Sequence, residues 1–139
     1  MKVQLLSDTA KVPVRAHSFD AGYDLFSNET VCVAPGDRHA VKTGIAIGVP
    51  VGHVGLIWEK SGLALREGLQ CMGGVIDAGY TGEVKVIVYN TSGAPLQINA
   101  GQKIAQILLQ HVYLGDITVV DSLDETRRGS AGFGSTGKV

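Results

Sequence analysis

Strand signals punctuate this chain and constrain its fold more than any other feature. Lys2–Leu6, Tyr23–Phe26, Thr30–Val33, His39–Lys42, Ile45–Val49 and His53–Trp58 are short β-branched or alternating runs bounded by Gly, Pro, Asp or Asn. Glu83–Tyr89, Leu96–Ile98, Lys103–Gln110 and Ile117–Val120 follow after a break. In Glu83–Tyr89, Val84, Val86 and Val88 share one face, while Lys85 and Ile87 take the other. Asn90–Pro95 then forms a loop long enough for a hairpin turn. Strands this short and this closely spaced predict an all-β antiparallel fold, a sandwich or a distorted jelly roll. The 19 glycines fit that density of turns, since their share is about twice the usual ~7%. A hydrophobic content of 45% in 139 residues supplies one core for one domain.

A single stretch reads as helix, Ser61-Gly-Leu-Ala-Leu-Arg66-Glu67-Gly68. Ser61 is the expected N-cap and Gly68 the expected stop. With Lys60 just ahead, the free N–H groups of that first turn and a cation point the same way, which suits an anion. The plain alternative is a connector helix.

Charge narrows the partners. The net charge is −1 and no basic cluster occurs, which argues against nucleic acid. A small, highly anionic ligand needs only a few local cations. Cys32 and Cys71 have no metal-ligand spacing and are expected to be buried, reduced thiols of an intracellular protein. Met1–Asp8 turns polar too soon for a secretory signal, and Gly44–Trp58 is too short and too interrupted by Gly and Pro50 to span a membrane. These features together predict a cytoplasmic protein.

Three motifs invite chemistry. Asp-Ala-Gly-Tyr occurs at Asp20–Tyr23 and again at Asp77–Tyr80, a doubling reminiscent of aspartic proteases. Those enzymes carry Ser or Thr after the Asp, whereas Ala21 and Ala78 have no hydroxyl. Gly132–Lys138 matches the front of a P-loop, but Val139 stands where a Mg²⁺-binding Ser or Thr belongs. The stretch from Arg128 to Val139 is too rich in Gly, Ser and Thr to bury a core of its own. A flexible strap with one aromatic ring, one guanidinium and many backbone donors is nonetheless suited to closing over a base and its phosphates. The chain divides into a β domain over 1–120 and a flexible glycine-rich tail over 121–139.

Five blocks then fall in order: Ala21-Gly-Tyr-Asp24-Leu-Phe-Ser27, Lys60-Ser-Gly-Leu-Ala64, Gly73-Gly-Val-Ile-Asp77-Ala-Gly-Tyr80-Thr-Gly82, Gly101-Gln-Lys-Ile-Ala-Gln106-Ile-Leu108 and Arg128–Gly137. Together they resemble the five motifs of the homotrimeric dUTPases, over nearly the whole chain. The resemblance implies a jelly-roll subunit and a homotrimer whose active sites are shared between subunits. It also implies hydrolysis of dUTP to dUMP and pyrophosphate with Mg²⁺, keeping uracil out of DNA and supplying dUMP for thymidylate synthesis.

By the same resemblance, Asp77 is the general base that deprotonates a water for attack on the α-phosphorus, and Asp24 holds Mg²⁺ through water. The backbone of Gly74, Val75, Ile76 and Lys85 reads the uracil edge, and Tyr80 lies under the deoxyribose, leaving no room for a 2′-hydroxyl. Lys60, Ser61, Gly62, Gln106, Arg128, Gly134, Ser135 and Thr136 bind the phosphates, and Phe133 stacks on the base as the tail closes. Three of them have a structural alternative: Asp77 as a turn aspartate, Tyr80 as a strand aromatic, Lys60 as a solvated cation.

Two departures stand out. The family usually has Arg where this chain has Lys60, which keeps the charge but loses the two-pronged grip on phosphate. Cys71 occupies a position where some relatives carry a base-contacting Asn, and is expected to pack. dCTP deaminases share the third block but need a Glu at the position of Ile87, which can move no proton. A second alternative is a regulatory dUTP-binding protein whose nucleotide state controls a partner.

Overall fold

The computed structural model describes residues 1–132. Its elements are β1 (Lys2–Leu5), β2 (Tyr23–Phe26), β3 (Val31–Val33), β4 (Arg38–Gly48), β5 (His53–Trp58), α1 (Ser61–Glu67), β6 (Leu69–Met72), β7 (Val75–Ile76), β8 (Glu83–Asn90), β9 (Leu96–Ile98) and β10 (Lys103–His111). They form two four-stranded sheets, β1-β4-β8-β6 and β2-β10-β5-β7, and a two-stranded ribbon, β3-β9. Every pairing is antiparallel. The architecture is the expected jelly roll.

Alternation in β8 makes one wall of the core. Val84, Val86 and Val88 have no exposed surface, while Lys85 and Ile87 face outward. Val41, Ile45 and Ile47 of β4, Leu25 of β2, and Ile104 and Ile107 of β10 join them in one buried cluster. Burying a side chain of that size contributes roughly 1.5–3 kcal/mol, so this cluster is the main source of stability.

The structure departs from the sequence reading at four places. His39–Lys42 and Ile45–Val49 belong to one long strand, whose register shifts against β8 between Lys42 and Ala46. Gly44 sits within that shift at φ +68°, a conformation that turn-forming glycine supplies without ending the strand. β6 and β7 arise where no strand was expected, and 117–120, expected as a strand, has no regular structure. Asn90–Pro95 is not a hairpin loop, because β8 and β9 lie in different sheets. The buried Asn90 amide instead donates to the carbonyls of Val33 (2.9 Å) and Ala94 (2.8 Å), and its oxygen accepts from Ser92 N–H (2.9 Å). That network fixes the crossing from one sheet to the ribbon.

The helix forms where expected and stops at Gly68 as expected, with only its N-cap moved. Lys60, not Ser61, is the N-cap, and no side chain caps it. Gly68 terminates the helix in the left-handed region at φ +67°, donating its N–H back to the Ala64 and Leu63 carbonyls.

Candidate functional site

The ladder positions the phosphate-binding candidates. Gln106 of β10 lies opposite Asp24 of β2 on one side and opposite Trp58 of β5 on the other. Since Glu59 and Lys60 continue directly from β5, three of the five sequence blocks meet at this point. The Gln106 amide donates to the Glu59 carbonyl at 3.1 Å. Gly22 leaves the room Gln106 occupies; a Cβ there would collide with its side chain. A cavity of about 510 Å³ opens here, lined by Asp20, Gly22, Asp24, Trp58, Lys60 and Gln106 among others.

Asp24 is the electrostatic centre of that cavity. It is 4% exposed and forms an ion pair with Lys60 through Oδ1. Lys103 Nζ stands 2.7 Å from Oδ2, a charge contact without the alignment of a hydrogen bond. Burial by itself would raise the Asp24 pKa. Lys103 and Lys60 more than offset it and hold the carboxyl below its ordinary value, so it is ionised at neutral pH.

The third block sits on a crossing between sheets. β6 belongs to one sheet and β7 to the other, and the chain passes between them at Gly73 (φ +60°) and Gly74. A Cβ at Gly74 would strike the Ile57 carbonyl oxygen, so only glycine allows β7 to approach β5. Ile57 N–H donates to the Gly74 carbonyl at 2.7 Å, and Val75 N–H to the Gly73 carbonyl at 3.0 Å. A second cleft of about 290 Å³ lies here, with Trp58, Glu59, Cys71, Gly74 and Val75 in its lining. Trp58 and Glu59 line both openings.

Asp77 is exposed at the head of the turn that follows β7, closed by Tyr80 N–H on the Asp77 carbonyl at 3.1 Å. The Tyr80 hydroxyl donates to the Glu83 carbonyl at 2.9 Å, which lays the ring across Gly82. Lys85 faces outward from β8, directly opposite Lys42. Asp77, Tyr80 and Lys85 line neither opening. The chain thus gathers Asp24, Lys60 and Gln106 in one cavity, places Gly74 and Val75 in the adjoining cleft, and leaves the Asp77 turn outside both. Ile76 is buried in β7.

Ser61 is exposed at the helix start, and the Arg66 guanidinium folds back against Gly62, 2.8 Å from where a Cβ would stand. Arg66 thus stands over the first turn of α1, outside the cavity that Lys60 lines. Arg128 is exposed in a turn, its Nε–H donating to the Ala131 carbonyl at 2.9 Å. Phe133, Gly134, Ser135 and Thr136 lie outside the described residues. The thiols divide: Cys71 is half-buried, and burial followed by the charge of Glu59 pushes its pKa up to about 12, whereas Cys32 is exposed. The expectation of two buried thiols is corrected for Cys32, which points outward from the short β3-β9 ribbon.

Sequence reasoning missed Lys103, although it lies within the fourth block. Strict alternation would turn it away from Asp24, and only the observed ladder shows otherwise.

The donors fit magnesium of one kind. Among the described residues no three His, Cys, Asp or Glu side chains cluster as a protein cage. Asp24 offers one buried oxygen with no hydrogen-bond partner beside a cavity carrying Lys60 and Gln106. One carboxylate beside phosphate-binding groups suits an ion carried in largely by substrate oxygens and water.

The chain is similar to proteins of one family. The dUTPase family model covers residues 8–137. The deoxyuridine 5′-triphosphate nucleotidohydrolase of Corynebacterium diphtheriae is 50% identical over 138 residues, 97% of this chain and 91% of that protein. The protein of the same name from Kluyveromyces lactis is 44% identical, over 99% of this chain and 94% of its own length. The dUTPase of Staphylococcus bacteriophage 80alpha, solved with dUPNHPP, superimposes with a TM-score of 0.93 at 31% identity, covering 98% of this chain and 97% of that one. A mutant dUTPase from phage phi11 of S. aureus, with a coordinated structural Mg(II) ion, gives a TM-score of 0.85 at 31% identity, over 89% of this chain and 98% of that one.

Proposed function

The chain belongs to the dUTPase family, and from that premise we propose how its residues divide the work of cleaving dUTP. The protein is a dUTP diphosphatase that releases dUMP and pyrophosphate, limiting uracil in DNA and supplying dUMP for thymidylate synthesis. The observation that carries the reading of the site is the cavity joining Asp24, Lys60 and Gln106, set beside the cleft of Gly74 and Val75.

Phosphate oxygens bind to Lys60, Gln106 and the N–H groups of Ser61 and Gly62, with Arg66 adding charge from the same helix. The backbone from Gly74 to Ile76, with Lys85, selects uracil, because cytosine would leave these groups unpaired. Tyr80 packs under the deoxyribose and excludes a 2′-hydroxyl. Asp77 accepts the proton of the attacking water at the α-phosphorus. Asp24 would hold magnesium through water, and the ion would neutralise phosphate charge there. The tail, residues 121–139, brings Arg128, Ser135, Thr136 and the Gly134 backbone onto the phosphates and Phe133 onto the base. Base–aromatic stacking is worth about 1–3 kcal/mol.

The exposed Asp77 turn, outside the phosphate cavity of its own subunit, supports a homotrimer with shared sites. We place the enzyme in the cytoplasm; no described helix is long and apolar enough to cross a membrane. A dCTP deaminase is disfavoured by Ile87, a hydrocarbon exposed on the outer face of β8.

The decisive assay incubates the protein with Mg²⁺ and, separately, dUTP, dCTP, dTTP and UTP. Rapid cleavage of dUTP alone to dUMP and pyrophosphate is expected. Orthophosphate as first product would contradict attack at the α-phosphorus.

A further inference from the structure

β10 carries an irregularity with a purpose. Gln106 pairs with Asp24 and Ala105 with Leu25, but Lys103 pairs with Phe26. An unbroken ladder would set Lys103 opposite Ser27, on the face of the fully buried Leu25. The extra residue, with Ile104 and Ala105 both fully buried in succession, moves Lys103 onto the face of Asp24 instead. Bulges of this kind re-aim side chains near active sites. The result is two ammonium groups on one buried carboxylate, a cluster with positive charge in excess.

We infer that Lys103 is a positioning residue: with Lys60 it neutralises Asp24 in the substrate-free protein, so that a divalent cation is admitted only together with the triphosphate. A bare cation meets a carboxylate whose oxygens are both faced by lysines, with Asp20 and Glu59 as the other acids of the cavity. Polyphosphate is attracted by the two ammonium groups. As its oxygens draw Lys60 from Oδ1, that oxygen is freed to join Oδ2, which has no hydrogen-bond partner, in holding a cation through water, while the charge of Lys103 keeps the carboxylate in place. The inference rests on the phosphate-site reading above and adds the order of binding.

The test titrates the nucleotide-free, full-length protein with Mn²⁺, followed by electron paramagnetic resonance. Lys103→Met keeps the aliphatic stem, and the Lys103 side chain is 44% exposed, so the fold should tolerate it. Loss of one facing charge should tighten Mn²⁺ binding at least ~10-fold. Adding Asp24→Asn should abolish the gain, which separates this site from Asp20 and Glu59 in the same cavity. Lys103→Arg should restore wild-type behaviour. If Lys103→Met is folded by circular dichroism yet binds Mn²⁺ no more tightly than wild type, or if Lys103→Arg matches Lys103→Met, the inference is wrong. Should Lys103→Met not fold, Lys103→Gln decides by the same criterion. Wild-type dUTP cleavage is assayed separately: its absence would overturn the functional reading, whereas normal cleavage with unchanged Mn²⁺ binding overturns only this inference.

Discussion

At the scale of single residues, the same chemical type does different work according to surroundings. Asp24 is buried and fixed between two lysines, while Asp77 stands exposed at a turn. For Asp77→Asn we expect retained binding of a non-hydrolysable dUTP analogue and turnover lower by at least ~10²-fold, as for loss of a general base. Near-normal turnover would remove Asp77 from that role. The thiols offer a contrast testable without substrate. Cys71, raised from 9.0 to about 12, keeps its proton while the exposed Cys32 is accessible to reagent. Iodoacetamide at pH 8 should modify Cys32 first. Because the folded-state pKa of Cys71 lies above the unfolded one, its contribution to stability is complete below pH 9.0 and declines as pH rises towards 12. Alkaline melts of a Cys71→Ala variant should lack that decline; an identical pH dependence would show that burial of the thiol is not its cause.

At the scale of elements, glycine sets where the chain turns. Gly68 ends α1 at φ +67°, and a Cβ there would stand 2.9 Å from Ser92 N and Thr91 Oγ1. Gly68→Ala should therefore combine backbone strain with a steric clash and lower stability by ~1 kcal/mol or more. Gly52, at φ +81° with nothing within 4 Å of where a Cβ would stand, bears the backbone cost alone. Thermal melts should rank Gly68→Ala below Gly52→Ala, and the reverse order would mean that the Gly68 contacts relax freely.

At the scale of the whole molecule, the chain leaves apolar surface unaccounted for. Ile117 (95%), Val119 (94%) and Leu123 (87%) are exposed along an irregular segment beyond β10. Such exposure suits a segment that packs on a neighbouring subunit. Sedimentation should give a trimer. Asp77→Asn subunits mixed with subunits truncated after Asp121 should regain activity, because each supplies what the other lacks. Hybrids that remain inactive after verified exchange would exclude shared sites.

The sequence determined the fold class through local rules. Alternation made Val84, Val86 and Val88 a buried wall, β-branched runs bounded by turns made strands, and Gly68 stopped the helix, each needing only near neighbours. The order of the five blocks likewise pointed to the family. Tertiary structure decided what depends on partners far along the chain. β6 and β7 exist because β8 and β5 offer them edges, and the segment 117–120 stays irregular despite its β-branched residues. The clamp on Asp24 needs Lys60 from beyond β5 and Lys103 from a bulged β10, residues 36 and 79 positions away in sequence. No local pattern encodes that meeting, because the bulge that turns Lys103 towards Asp24 exists only in the pairing of two strands.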